Sequence, residues 1–123
     1  MAKCTMFELI HHGLLEDYTQ TLTTTVAADV LVIPVTHPYV SKTTGGDAEA
    51  LTLANGLPGQ ALIINLVTDG SGDGTLTPAT STGWATILFA DAGDQAVLQY
   101  VDDTIGWVII SVFGLTAQPT VAV

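Results

Sequence analysis

Apolar residues in this chain come in short runs rich in threonine, valine, isoleucine and leucine, and glycine, proline or aspartate interrupts each run. Such residues suit a pleated, half-buried surface, so the runs predict strands. The expected strands are Thr19–Thr25, Val30–Val35, Ala50–Leu53, Ala61–Thr68, Thr75–Thr77, Ala85–Phe89, Ala96–Val101 and Trp107–Phe113. Turn signals separate them at "TGGD" (Thr44–Asp47), "NGLPG" (Asn55–Gly59), "DGSGDG" (Asp69–Gly74), "DAGD" (Asp91–Asp94) and "DDTIG" (Asp102–Gly106). Short strands at this spacing predict an all-β domain: a sandwich, a jelly roll or a barrel.

Two runs break the usual alternation of apolar and polar positions. In "ALIINLVT", Leu62, Ile64 and Leu66 line one face, while Ile63 and Val67 line the other. In "WVIISVF", Val108, Ile110 and Val112 oppose Trp107, Ile109 and Phe113. A strand with one wet face alternates. Both faces of these two are therefore expected to be covered, one by the core and one by a neighbouring element or subunit. "LTLANGLPGQALIINLVTD" and "ILFADAGDQAVLQYVDD" share a strand, turn, Gln-Ala, strand plan, which reads as two similar hairpins.

The ends of the chain differ from the middle. Residues 1–17 include "MFELIHHGLLEDY", which fits either one or two helical turns or an extended arm laid on a partner. Residues 18–115 form the expected sandwich domain. The tail, residues 116–123, reads as another arm or a frayed end.

Composition narrows the function. Of 123 residues, 48% are hydrophobic and only 11% charged, against roughly a quarter charged in ordinary domains. A domain of this size hides about two-thirds of its extended-chain surface, so the apolar surplus points to a subunit interface. No apolar run approaches the roughly 18 residues of a membrane span, and "MAKCTMFELIHHG" lacks the features of a secretion signal. A net charge of −10, with Lys3 and Lys42 the only basic residues besides histidine, would repel a phosphate backbone. The single Cys4 leaves no internal disulfide and no cysteine-based zinc site.

Candidate chemistry is sparse. Asp69, Ser71, Asp73 and Gly74 match the front half of a calcium loop, but its twelfth position is Thr80 and Pro78 stands where a second helix should begin. A glycine-rich turn explains the stretch better. Asp91, Asp94, Asp102 and Asp103 lie in expected turns, where aspartate serves conformation, rather than in a glycosidase pair. His11 and His12 are adjacent and diverge, and a metal would need His37 or Glu8 as well. Trp84 and Trp107 each follow a glycine. Each either closes the end of a core or, if exposed, stacks on a sugar. The expectation is no enzyme, no catalytic residue, no metal and no cofactor.

The segments "ALTLANGLPGQ", "DGTLTP", "TGWATILF", "AGDQAVLQYVD" and "GWVII", spread over residues 35–111, resemble a family of small virion structural proteins of tailed bacteriophages, most closely the capsid decoration (cement) type. The resemblance implies a jelly-roll-like β-sandwich that assembles as a homotrimer on the outer surface of the capsid. Its partners would be other copies of itself and the major capsid protein, with no nucleic acid or membrane, and its task would be to stabilise the shell. It carries over no catalytic residues. Outside the resemblance, Met6, Phe7, Leu9 and Ile10 are the expected contacts of the N-terminal arm to the shell or a neighbouring protomer. The alternative is a receptor- or glycan-binding domain of a phage fibre or spike, which expects Trp84 or Tyr100 exposed in a groove.

Overall fold

A computed structural model describes residues 22–123. The arm expected over residues 1–17, with its contacts Met6, Phe7, Leu9 and Ile10, lies outside the described residues, as do Cys4, His11 and His12. Ten strands follow in order: β1 (Thr23–Val26), β2 (Val32–Ile33), β3 (Tyr39–Thr43), β4 (Glu49–Leu53), β5 (Ala61–Thr68), β6 (Gly74–Pro78), β7 (Thr86–Phe89), β8 (Gln95–Tyr100), β9 (Trp107–Phe113) and β10 (Thr120–Ala122). The described residues are all-β, in two five-stranded sheets that face each other as a sandwich.

The order of strands is regular. The first sheet runs β1-β3-β5-β8-β9 and the second β2-β4-β6-β7-β10. The chain crosses between the sheets at every step from β1 to β6, so each strand lies parallel to the one two places earlier. These steps make three coils, each with one strand per sheet and an arch at either end. From β7 onward the pairings are antiparallel: β7 on β6, β8 on β5, β9 on β8 and β10 on β7. The jelly-roll likeness extends to the two-sheet layering. The strand order contains parallel ladders that antiparallel jelly rolls lack.

Alternation within strands builds the core. Leu51 and Leu53 of β4, Leu62, Ile64 and Leu66 of β5, Leu76 of β6, Ile87 and Phe89 of β7, and Leu98 and Tyr100 of β8 all point between the sheets. Burying one such side chain contributes about 1.5–3 kcal/mol. Trp107 meets Tyr100 edge to face, with ring centroids 5.2 Å apart. Its indole N–H donates to the carbonyl of Ala54 at 2.9 Å, and the Trp84 indole donates to the carbonyl of Trp107 at 3.0 Å. The two tryptophans thus close one end of the sandwich with their polar handles satisfied.

Two strands were not expected. β3 was missed because its inward residues are Val40 and Lys42, so no apolar alternation marks it. β10 lies in the tail, where three residues after Pro119 pair with β7 instead of fraying. Of the expected strand Thr19–Thr25, the described part forms a strand over Thr23–Val26, with Leu22 outside it, and Val30–Val35 reduces to Val32–Ile33.

Lys42 is buried to 2% side-chain exposure against an equally buried Glu49. Its ammonium donates to Glu49 Oε1 at 2.7 Å and to the carbonyls of Ala27 and Val30 at 2.8 and 2.7 Å. All three protons are used. Glu49 Oε2 accepts the Gly45 N–H, and the Asp29 N–H also reaches the carboxylate. Burial alone pushes the Glu49 carboxyl up. The Lys42 hydrogen bond, the two backbone donors and the Lys42 charge outweigh it and hold the group below its ordinary 4.5.

Replacing Lys42 by Met strands the Glu49 carboxylate, so K42M should lose about 3–5 kcal/mol in urea denaturation. The double variant K42M/E49L should recover a large part of that loss. The sign for pH follows from the lowered Glu49 value. Its contribution is complete above pH 4.5 and is lost as pH falls through the folded-state value, a dependence that a melting series in acid should show for the wild type and not for E49L.

Candidate interaction surface

The parallel ladders carry the connecting loops into two stacks, one at each end of the sandwich. At the first end, the arches following β1, β3 and β5 lie on one another. Thr44 N–H donates to the Thr68 carbonyl, Glu49 N–H to Asp73, and Gly72 N–H to Gly45. The "DGSGDG" stretch is the third arch. Ser71, at φ 86°, is held there by a 2.8 Å bond from its N–H to Asp69 Oδ1. A Cβ on Gly70 would lie 2.2 Å from the Thr44 carbonyl oxygen, and one on Gly72 only 2.0 Å from that of Asp47. The glycines are there so that one arch can seat on the next. No group of three or more His, Cys, Asp or Glu placed to hold a metal occurs among the described residues.

The four aspartates weighed as catalytic pairs act separately. Asp94 Oδ2 accepts the N–H groups of Ala90 and Asp91, at 2.9 and 3.1 Å. Asp102 Oδ1 accepts those of Thr104 and Ile105, at 2.9 and 2.7 Å. Asp103 accepts the Tyr100 hydroxyl. Burial first, then that hydrogen bond and the charges of Asp103 and Asp102, push the Tyr100 phenol up to about 12. Three of these carboxylates hold turns or a neighbouring hydroxyl, and Asp91 is exposed.

An aromatic sugar platform is not formed by the expected residues. Trp84, Trp107 and Tyr100 are all buried. A shallow depression of about 540 Å³ lies at the second end, lined by Val35, Thr36, Asn55, Gly56, Leu57 and Gln60. Gln60 is already committed there: its amide donates to the Val35 carbonyl and its oxygen accepts the Leu57 N–H at 2.9 Å. His37 is bonded only to the neighbouring Thr36 hydroxyl, at 2.8 Å.

The outer face of the first sheet is the surface that sequence reasoning half found. Tyr39, Ile63, Val97 and Ser111 form one row across β3, β5, β8 and β9. Nothing among the described residues covers this face. At β9 the register shifts: Val97 pairs with Ser111, whereas Leu98 pairs with Ile109. Ile110 is the extra residue of a bulge, and a bulge inverts the parity of the positions beyond it. Trp107 and Ile109 face the core before the bulge; beyond it Val112 packs on the core and Phe113 turns outward, the reverse of simple alternation, so that Ile110 and Phe113 stand 58% and 53% exposed. The expectation that both faces of β5 and β9 are covered holds, among the described residues, for one face of each.

Charge is distributed unevenly. Asp29, Asp47, Glu49, Asp69, Asp73, Asp91 and Asp94 gather at the first end, and Asp102 and Asp103 lie at the second. The outward positions of both sheets carry none. No protein-family model matches the chain, and no curated protein matches it.

Gly72→Ala should destabilise the protein by about 3 kcal/mol, since backbone and not a pliant side chain stands in the way of the new methyl. Millimolar calcium should leave the melting temperature of the wild type unchanged if the third arch is only a turn; a calcium-dependent rise would overturn that reading.

Proposed function

We propose that the chain is a capsid decoration (cement) protein of a tailed bacteriophage, assembling as a homotrimer on the outer capsid surface and clamping major capsid protein subunits together. The observation that carries this reading is the uncharged, partly apolar outer face of the first sheet, in a chain of net charge −10. A protein that works by packing against copies of itself and a lattice needs such a face. The sequence likeness over residues 35–111 supports the same reading, and the acidic ends suit a surface turned to solvent. A protein that binds only the assembled lattice stabilises it in proportion to its affinity and concentration. The buried state of Trp84 and Tyr100 weighs against the glycan-binding alternative in the form expected from sequence.

The test is to mix the purified chain with undecorated capsids of the phage that encodes it and sediment them. Saturable co-sedimentation, with capsids that withstand a higher temperature, is the expected result. A chain that stays in the supernatant at every concentration, or that antibody labelling places on the tail alone, would refute the reading.

A further inference from the structure

We infer that the outer face of the first sheet, centred on the β9 edge, is the surface through which copies of this chain meet. The inference rests on the self-association part of the proposed function and names the surface. Six side chains define it: Tyr39, Ile63, Val97, Val108, Ile110 and Phe113.

Three observations select a second copy as the occupant. The first is charge. A like-charged partner gains least at the acidic first end, where Asp29, Asp47 and Asp69 are exposed, and loses least on a face without carboxylates to desolvate. The second is size. Five strands about 4.8 Å apart, rising roughly 3.3 Å per residue, present a face of about 24 by 20 Å. That is roughly 500 Å² in projection, more once side chains are counted, and it approaches the ~800 Å² per partner of a standard interface. The third is the edge. β1, β2 and β10 are edge strands of two to four residues, whereas β9 has seven. Long exposed edges are normally blunted by charge, proline, a bulge or cover. At the start of β9, Trp107 is bridged to Ser81 and exchanges backbone bonds with Thr80 and Thr82, but residues 108–113 carry no charge or proline and pair with no further strand among the described residues. Their one blunting device is the bulge, beside which Ile110 and Phe113 stand outward.

The outer face of the second sheet is a poorer choice, although it too is uncharged. Its outward residues are mostly small, Ala50, Thr52, Thr75, Thr77, Thr86 and Ala122, with Val32 and Leu88 the larger apolar side chains among them. The same geometry there offers two large apolar side chains, at the edge strand β2 and on β7, where the first sheet offers six.

The test is the mass of the full chain by light scattering, for wild type, for I110D/F113D, and for T52D/T77D on the other sheet. The wild type should form an assembly. I110D/F113D should fall to the 12.8 kDa of one chain with its strand signature kept, and T52D/T77D should keep the wild-type mass. An I110D/F113D protein of unchanged mass would overturn the assigned surface and leave decoration standing. A wild type of single-chain mass throughout would overturn the inference, with capsid sedimentation judging decoration separately. If I110D/F113D does not fold, hydroxyl-radical footprinting of the wild type decides. Phe113 should lose accessibility on assembly. Phe113 equally accessible in the assembly, or protected in a lone chain by its own N-terminal residues, would overturn the proposal.

Discussion

Lys42 sends its ammonium into the gap between two arches, where two carbonyls and a carboxylate take all of its protons. Those acceptors belong to two separate pieces of chain: the arch after β1, and β4 beyond the arch after β3. The same carboxylate then reaches back to the Gly45 N–H in its own arch. One buried pair therefore ties the arch after β1 to the arch after β3, where the first two coils meet. A hydrophobic pair of similar volume would fill the space at no greater cost, but it would not specify which arch sits on which. The third arch then seats on the second through backbone bonds and the Gly70 N–H donated to the Thr44 hydroxyl, and the ladders of both sheets run parallel from there.

The separation of charge from the sheets has the same origin. Aspartate is favoured where the chain must turn, because its carboxylate accepts nearby backbone N–H groups. Asp69, Asp94 and Asp102 all do this. The ladders bring successive turns together, so acidity read along the sequence as scattered becomes concentrated at one end of the molecule. The broad faces are left to threonine, alanine and the aliphatic side chains.

Much of this was legible in advance. The bounds of β5 and β9 follow from their unbroken apolar runs, and the all-β class follows from the turn residues between them. The turn roles of Asp69 and Asp102, and the core roles of both tryptophans, also follow from local chemistry. Three things were not legible, each for a physical reason. An inward lysine hides β3, since its partner Glu49 lies beyond a turn. The parallel pairing is invisible because strand patterns do not record which strand lies beside which. The bulge at Ile110 switches the sides of Val112 and Phe113, and no residue type announces it: the sequence pairs Phe113 with Trp107 and Ile109, while the register puts it on the opposite side.

The two halves of the chain also differ in what they can do alone. β5 and β6 are bordered on one side by earlier coils and on the other by β8 and β7, which come later. As the polypeptide emerges from the ribosome, three coils accumulate with Leu62, Ile64, Leu66 and Leu76 lacking the strands that complete their enclosure. The tryptophan that seals the open end, Trp107, is made later still. Cooperative closure thus waits for the C-terminal third of the chain, and until then the nascent protein presents unpaired strands to whatever lies nearby.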